Sequence, residues 1–315
     1  MSCLLADIGG TNTRCAVTRA DGEIENIESF RNSEFADPAS LLETYLHSVE
    51  VGQRPARGIF AVAAPIRGDV VKMINIEWQF SASSLQSQLG FNRLNLLNDF
   101  EALARGLPEF GDDDLLQIGS GMSEKSKPKA VIGPGTGLGV AGLIPAETGW
   151  RAISGEGGHV SLPAANQEEA RIILQVQKQY GHCSAERLIS GPGLSLLHCI
   201  LHESEAVSAE EIGRMAMQGD RQANASLEIF FQLLGSVAAN LALTFGAFGG
   251  VYIGGGIIPR HAEKFATSGF RKRFEAKGRY GDYLGSIATN LIVAKHPTLT
   301  GLAACARHGA STPSR

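Results

Sequence analysis

The sequence predicts a mixed α/β protein made of two related domains, and three observations carry that expectation. Three meandering strands followed by helix, strand, helix, strand and helix fill the first third of the chain, the pattern of a mixed sheet covered by helices. A strand, glycine–threonine turn, strand unit at Asp7-Ile8-Gly9-Gly10-Thr11-Asn12-Thr13 returns at Gly133-Pro134-Gly135-Thr136-Gly137-Leu138-Gly139, an offset of 125 residues from Gly10 to Gly135. The length, 315 residues, accommodates about two domains.

In chain order, Cys3 to Ile8 and Arg14 to Thr18 read as strands of a hairpin, with Ile24 to Arg31 as a third antiparallel strand. Asp37-Pro38 opens a helix to about Val51, proline standing at the first helical position. Arg57 to Ala64 and Val70 to Ile76 are strands, and Ser83 or Ser84 caps a helix to Leu89. Leu94 to Leu97 is a buried strand that turns into a helix at Asn98-Asp99. Gly106-Leu107-Pro108 and the Asp112-Asp113-Asp114 run read as a linker.

The second half begins with the repeated hairpin, and Trp150 to Ser154 continues its meander. Helices follow from Gln167 to Tyr180, Ala185 to Leu188, Leu194 to His202, Ser208 to Gln218 and Asp220 to about Phe245. Gly250 to Ile253 makes a strand running into Gly254-Gly255-Gly256, and Leu291 to Ala294 is the last strand. A closing helix, Leu299 to Ala306, packs back on the first domain by the repeat. The expected domains are therefore 1–108 with 298–315, and 109–297.

Composition narrows the function. The chain is 43% hydrophobic and 19% charged with a net charge of −4 and no basic run, which excludes nucleic acid and anionic membrane as partners. Five cysteines form no CxxC pair, as expected of reduced thiols in a cytoplasmic protein, and no signal peptide opens the chain. From Ile229 to Pro259 no charge appears, but Gln232, Ser236 and Asn240 recur at one helical spacing, so a buried helix is expected rather than a membrane span.

The hairpins hold the chemistry. Gly9 and Gly10 leave backbone N–H groups bare to an anion, and Thr11 and Asn12 add donors at the tip. Asp7 beside such a cradle would repel a phosphate unless a cation lay between them, which points to Mg2+ held through water. Asp99 follows a strand at the start of a helix, where a carboxylate can cap or act as a base. Its place between two phosphate cradles favours the base and suggests phosphoryl transfer to a hydroxyl. Gly254, Gly255 and Gly256 offer bare backbone to a ring or ribose.

With these residues in place, the chain resembles the bacterial glucokinase family of the actin-like sugar-kinase superfamily. The motifs are Ala6 to Asn12, Leu97-Asn98-Asp99-Phe100, Gly133 to Gly139, Gly155-Glu156-Gly157-Gly158-His159, Glu186 to Gly193 and Gly250 to Ile257. No cysteine cluster follows His159, which disfavours the related zinc-bearing branch and its repressors. The resemblance implies two ribonuclease-H-like α/β domains with mixed sheets, a cleft between them that closes on the sugar, and a homodimer. It implies glucose and ATP as substrates with Mg2+, glucose 6-phosphate as product, and entry to glycolysis. By the same resemblance Asp99 is the base, Asn98, Glu156, His159 and Glu186 bind the sugar, and Ala6, Asp7, Ile8, Gly9, Gly10, Thr11, Asn12, Thr136, Gly137, Gly254, Gly255 and Gly256 bind the nucleotide. Kinases for another hexose or amino sugar, and a non-catalytic sugar sensor, are the rival readings.

Overall fold

The computed structural model describes residues 2–19, 22–49, 54–74 and 76–307. The chain divides into two units: residues 1–110 with 294–315, and residues 111–293. The boundaries fall after Phe110 and Val293, against the 108 and 297 expected from the sequence.

Unit 1 contains strands β1 (Cys3–Ile8), β2 (Asn12–Thr18) and β3 (Ile24–Arg31), helix α1 (Pro38–Ser48), and strands β4 (Arg57–Val62), β5 (Val70–Lys72) and β6 (Gln79–Ser81). Helix α2 (Ala82–Gln88), strand β7 (Arg93–Asn98) and helix α3 (Asp99–Gly106) follow. The main sheet has the order β3-β2-β1-β4-β7, with the first three strands antiparallel and β1, β4 and β7 parallel. Strand alternation fills both faces of this sheet. Leu4, Ala6 and Ile8 pack with Leu41, Leu42 and Tyr45 of α1, while Cys3 and Leu5 face the opposite cluster. Trp78 is buried in the α1-side core, and Phe80 packs against it. Both are core residues.

Asp37 caps α1 through a capping box with Ser40, and Pro38 takes the first position as expected. The helix stops at Ser48, short of the expected end at Val51, which lies outside the described residues. Ser81, not Ser83 or Ser84, caps α2: its hydroxyl accepts from Ser84 N–H at 3.1 Å, while Asp69 takes Ser83 N–H at 2.8 Å. The strand expected to run to Ile76 ends at Lys72 and pairs with β6 in a small two-stranded sheet. Gly106 closes α3 and the acidic triplet leads at once into a strand, and the division between the units falls between them, after Phe110.

Unit 2 contains β8 (Leu115–Gln117), β9 (Lys129–Pro134), β10 (Leu138–Pro145), β11 (Trp150–Gly155), α4 (Gln167–Tyr180), α5 (Ala185–Leu188), α6 (Gly191–His202), α7 (Ala209–Met217) and α8 (Arg221–Phe245). Then come β12 (Val251–Ile253), α9 (Ala262–Ala266), α10 (Phe270–Glu275), α11 (Gly281–Gly285) and β13 (Thr289–Ile292). Its sheet runs β11-β10-β9-β12-β13-β8. Apart from the added edge strand β8, this is the order of unit 1, with β9, β10, β11, β12 and β13 standing for β1, β2, β3, β4 and β7.

Among the described residues α8 is the one helix long and apolar enough to cross a bilayer, and it is a buried core helix. Its polar stripe has a packing use. Glu228 accepts from Gly269 N–H (2.9 Å), Gln232 from Arg273 (3.0 Å) and Asn240 from Lys277 (2.7 Å), docking α10 along α8. The final helix, α12 (Pro297–Arg307), belongs to unit 1 and lies against α3, where a Cβ on Gly301 would strike Ala102 O. Only glycine permits that approach of two helix backbones.

Candidate functional site: two glycine hairpins and their latches

In unit 1 the parallel strands end in register, Ile8 beside Val62 and Val62 beside Asn98. The loops after them therefore share the carboxyl edge of the sheet, the usual ligand edge of an open α/β fold. With strands about 4.8 Å apart, the turn after β1 and the residue opening α3 stand two spacings, about 10 Å, from each other along that edge.

The first hairpin is tight. Gly9 N–H donates to Asn12 O at 3.0 Å, and a Cβ on Gly9 would lie 3.0 Å from the same oxygen. Sequence reasoning missed Asn32. It is 1% exposed; its Oδ1 accepts from Thr13 Oγ1 (2.8 Å), its Nδ2 donates to Gly9 O (2.8 Å) and its backbone N–H donates to Thr11 O (2.9 Å). A lone asparagine after a strand gives no local signal for such a role. Thr11 and Asn12 are left exposed at the tip.

Asp7 lies across from Arg14 on β2, with Arg14 Nη1 3.4 Å from its Oδ2. The register of the Gly-Gly turn would have given this pair from sequence. Burial pushes the Asp7 carboxyl above its usual range, and Arg14 acts against that shift. Among the described residues no group of three or more histidine, cysteine, aspartate or glutamate side chains could hold a metal ion. One carboxylate with a guanidinium beside it is no protein-borne cage, but it fits a Mg2+ that arrives on phosphate oxygens and keeps most of its water.

At the next loop, Asn98 is the cap of α3. Its Oδ1 accepts from Phe100 N–H at 3.0 Å and Glu101 N–H at 3.3 Å, and its Nδ2 reaches Ala64 O at 3.5 Å. Asp99 is thus the first helical residue, its Oδ1 taking Phe100 N–H at 2.9 Å. Glu101 is bound to Arg105 at 2.9 Å.

In unit 2 the second hairpin, Gly135-Thr136-Gly137, is held differently. Gly135 N–H donates to Gly137 O and Gly191 N–H donates to Gly135 O, both at 2.8 Å. Glu186 on α5 accepts from Leu138 N–H through Oε2 at 2.8 Å, and its Oε1 lies 3.9 Å from His159 Nδ1. The chain brings these together by a short crossing. Ala185 N–H donates to Val160 O (2.8 Å) and Leu162 N–H to Cys183 O (3.0 Å), while Ser161 and Ser184 form a bridge. Glu156, exposed, follows β11, whose Gly155 pairs with Val140 near the same turn. A Cβ on Gly158 would strike Leu138 O, so the loop carrying Glu156 and His159 lies directly on the hairpin.

The three glycines after β12 are not equivalent. Gly254 N–H donates to Ile132 O at 2.8 Å, and a Cβ on Gly133 would lie 2.5 Å from the Gly254 carbonyl carbon. Gly255 has φ +82 and its Cβ would strike Pro134 O. Gly256 faces open space. Gly255 is therefore glycine for its backbone packing on β9 and its positive φ, Gly133 is glycine for its approach to Gly254, and Gly256 leaves open the space a Cβ would take.

A profile of the glucokinase family matches residues 4–309. The chain belongs to the glucokinase family. A glucokinase of Chromobacterium violaceum is 46% identical over 307 residues, covering 96% of this chain and 88% of that protein. The structure of a glucokinase from an Antarctic psychrotroph has a TM-score of 0.85 at 34% identity, covering 98% of this chain and 99% of that one. A more distant likeness, in fold alone, is a ROK family glucokinase of Streptomyces griseus solved with glucose and AMPPNP, with TM-score 0.66 and 19% identity over 98% of this chain and 100% of that one. The glucokinase fold thus accounts for the two like-ordered sheets as well as the two hairpins.

Proposed function

We propose that this protein transfers the γ-phosphoryl group of ATP to the 6-hydroxyl of glucose, with Asp99 as the base. The observation that carries the reading is the position of Asp99: first residue of α3, at the sheet edge that also bears the Asn32-latched hairpin. An alcohol oriented by that carboxylate needs little more than in-line placement, because the transition state is loose and the base mainly aligns the nucleophile.

Asn98 presents its amide beside Asp99, while Glu156, His159 and Glu186 form the sugar-binding set carried by unit 2. Carboxylates suit a sugar because each accepts from two hydroxyls, each bond contributing about 1.5–3 kcal/mol. Thr11 and Asn12 on the first hairpin and Thr136 on the second are the donors for phosphate oxygens, with Ala6 and Ile8 shaping the strand beneath and Gly256 leaving space for the nucleoside. Mg2+ bound on those phosphates would neutralise their charge, with Asp7 its contact through water. Closure on the sugar would exclude water as a competing acceptor. The same reading has the enzyme in the cytoplasm, its five cysteines all free, and working as a homodimer at the entry to glycolysis.

A coupled assay of ADP release tests it. ADP formation is expected only when glucose is present, and release at the same rate without sugar would overturn the proposal.

A further inference from the structure

The second hairpin contains a glycine that backbone conformation does not require. Gly137 has no positive φ, so an L-residue would suit its backbone. Its neighbour Gly135 has open space where a Cβ would go, as a phosphate cradle needs. Gly137 does not. A Cβ there would lie 2.5 Å from Glu186 Oε2 and 3.3 Å from its Cδ, and approaches under 3.0 Å are essentially never seen.

Building on the functional reading above, we infer that Gly137 is a positioning residue for the sugar: it is glycine to let the Glu186 carboxylate seat on Leu138 N–H beside His159. The seat rests on rigid ground. Ala185, Leu188 and Ile189 around Glu186 are fully buried, and the crossing strands fix α5 to the loop of His159. Glu186 itself is 31% exposed in its side chain, so it is both anchored and open. A carboxylate has about four lone-pair sites, and the bond from Leu138 uses one. The rest remain for hydroxyls. One side chain therefore touches the nucleotide hairpin through backbone and the sugar through its free acceptors.

The consequence is an effect in an unexpected column. A methyl at 137 pushes the carboxylate off Leu138 and away from the sugar, so the loss falls on glucose although the residue lies in the phosphate hairpin. Calorimetric titration of glucose and, separately, AMPPNP into wild type, Gly137→Ala, Glu186→Ala and the double variant decides it. Gly137→Ala is expected to weaken glucose about tenfold or more, the worth of one charge-assisted bond, and AMPPNP by no more than about threefold. In the Glu186→Ala background the added methyl has nothing to strike. Glucose affinity there should be the same with either residue at 137, within about twofold.

Weakened AMPPNP with unchanged glucose, or an equal glucose penalty in both backgrounds, overturns the inference. Should Gly137→Ala fail to fold, folding of the double variant with the glucose affinity of Glu186→Ala supports it, and failure of both overturns it. A wild type that binds no glucose sinks the functional reading instead. The thermal midpoints of the same four proteins then decide the steric claim: the Gly137→Ala penalty should vanish without the carboxylate, and a penalty that persists refutes it.

Discussion

The two hairpins of this chain are both strand, glycine turn, strand units at matching places in their sheets, and they are latched by different chemistry. In unit 1 the latch is an amide: Asn32 is closed off from solvent and spends both ends of its side chain on Thr13 and Gly9. In unit 2 it is a carboxylate: Glu186 spends one oxygen on Leu138 N–H and leaves the other near His159. A neutral group shut away from solvent, with its oxygen and its nitrogen both bonded to the hairpin, only holds its loop. A charged group with acceptors left over can hold a loop and bind a ligand as well. The two latches have therefore diverged: the amide is closed off from solvent, and the carboxylate keeps free acceptors that suit the sugar-binding role proposed for it.

That contrast can be broken in several places, the largest effect being on chemistry. Asp99→Ala should lower turnover by about a hundredfold to ten-thousandfold while calorimetry still finds glucose binding, since the base acts on the transition state. Kinetics in which only the glucose KM moved would assign Asp99 to binding.

Next comes stability in unit 1. Gly301→Ala drives a methyl into Ala102 O between α12 and α3 and should cost about 3 kcal/mol or more, read as a lower urea midpoint with unchanged slope. Asn32→Ala removes the two side-chain bonds of a buried latch and strands Thr13 Oγ1 and Gly9 O. The expected cost is about 2–3 kcal/mol in the same titration. An Asn32→Ala protein as stable as wild type would mean that the first hairpin needs no latch.

The smallest effect is on pH. Burial, the leading cause in each case, holds His198, His261 and His296 below the ordinary imidazole value of 6.5. Between their folded values and 6.5 the unfolded chain binds more protons, so stability rises with pH through that window and is flat above it. It is lost as pH falls. Thermal midpoints taken from about pH 8 to about pH 5.5 should stay level and then drop, with a shallower drop in His198→Asn.

The elements that the sequence made legible are those whose signals are local. The repeated glycine turn, the Asp37-Pro38 helix start and the long α8 pattern each announce themselves within a few residues. The polar stripe on α8 was visible too, though its partners Arg273 and Lys277 were not. Strands β6 and β8, three residues each, and the short helices α9 to α11 are too brief for a hydrophobic period to register. Ser81 displaced Ser83 and Ser84 as a cap because Asp69, fourteen residues before Ser83, claims the Ser83 backbone. At the site, Asn98 and Asp99 were readable as a cap and its neighbour, and it is the bonds from Phe100 and Glu101 N–H to Asn98 Oδ1 that show which is which. Asn32 and the Leu138–Glu186 bond span 19 and 48 residues, and no spacing rule reaches that far.

A crystal structure with glucose bound measures the central assignment most directly. The account predicts an Asp99 carboxylate oxygen within hydrogen-bond reach of the sugar's 6-hydroxyl, about 2.6–3.2 Å. A sugar whose 6-hydroxyl meets another side chain, with Asp99 turned away from it, would contradict the account.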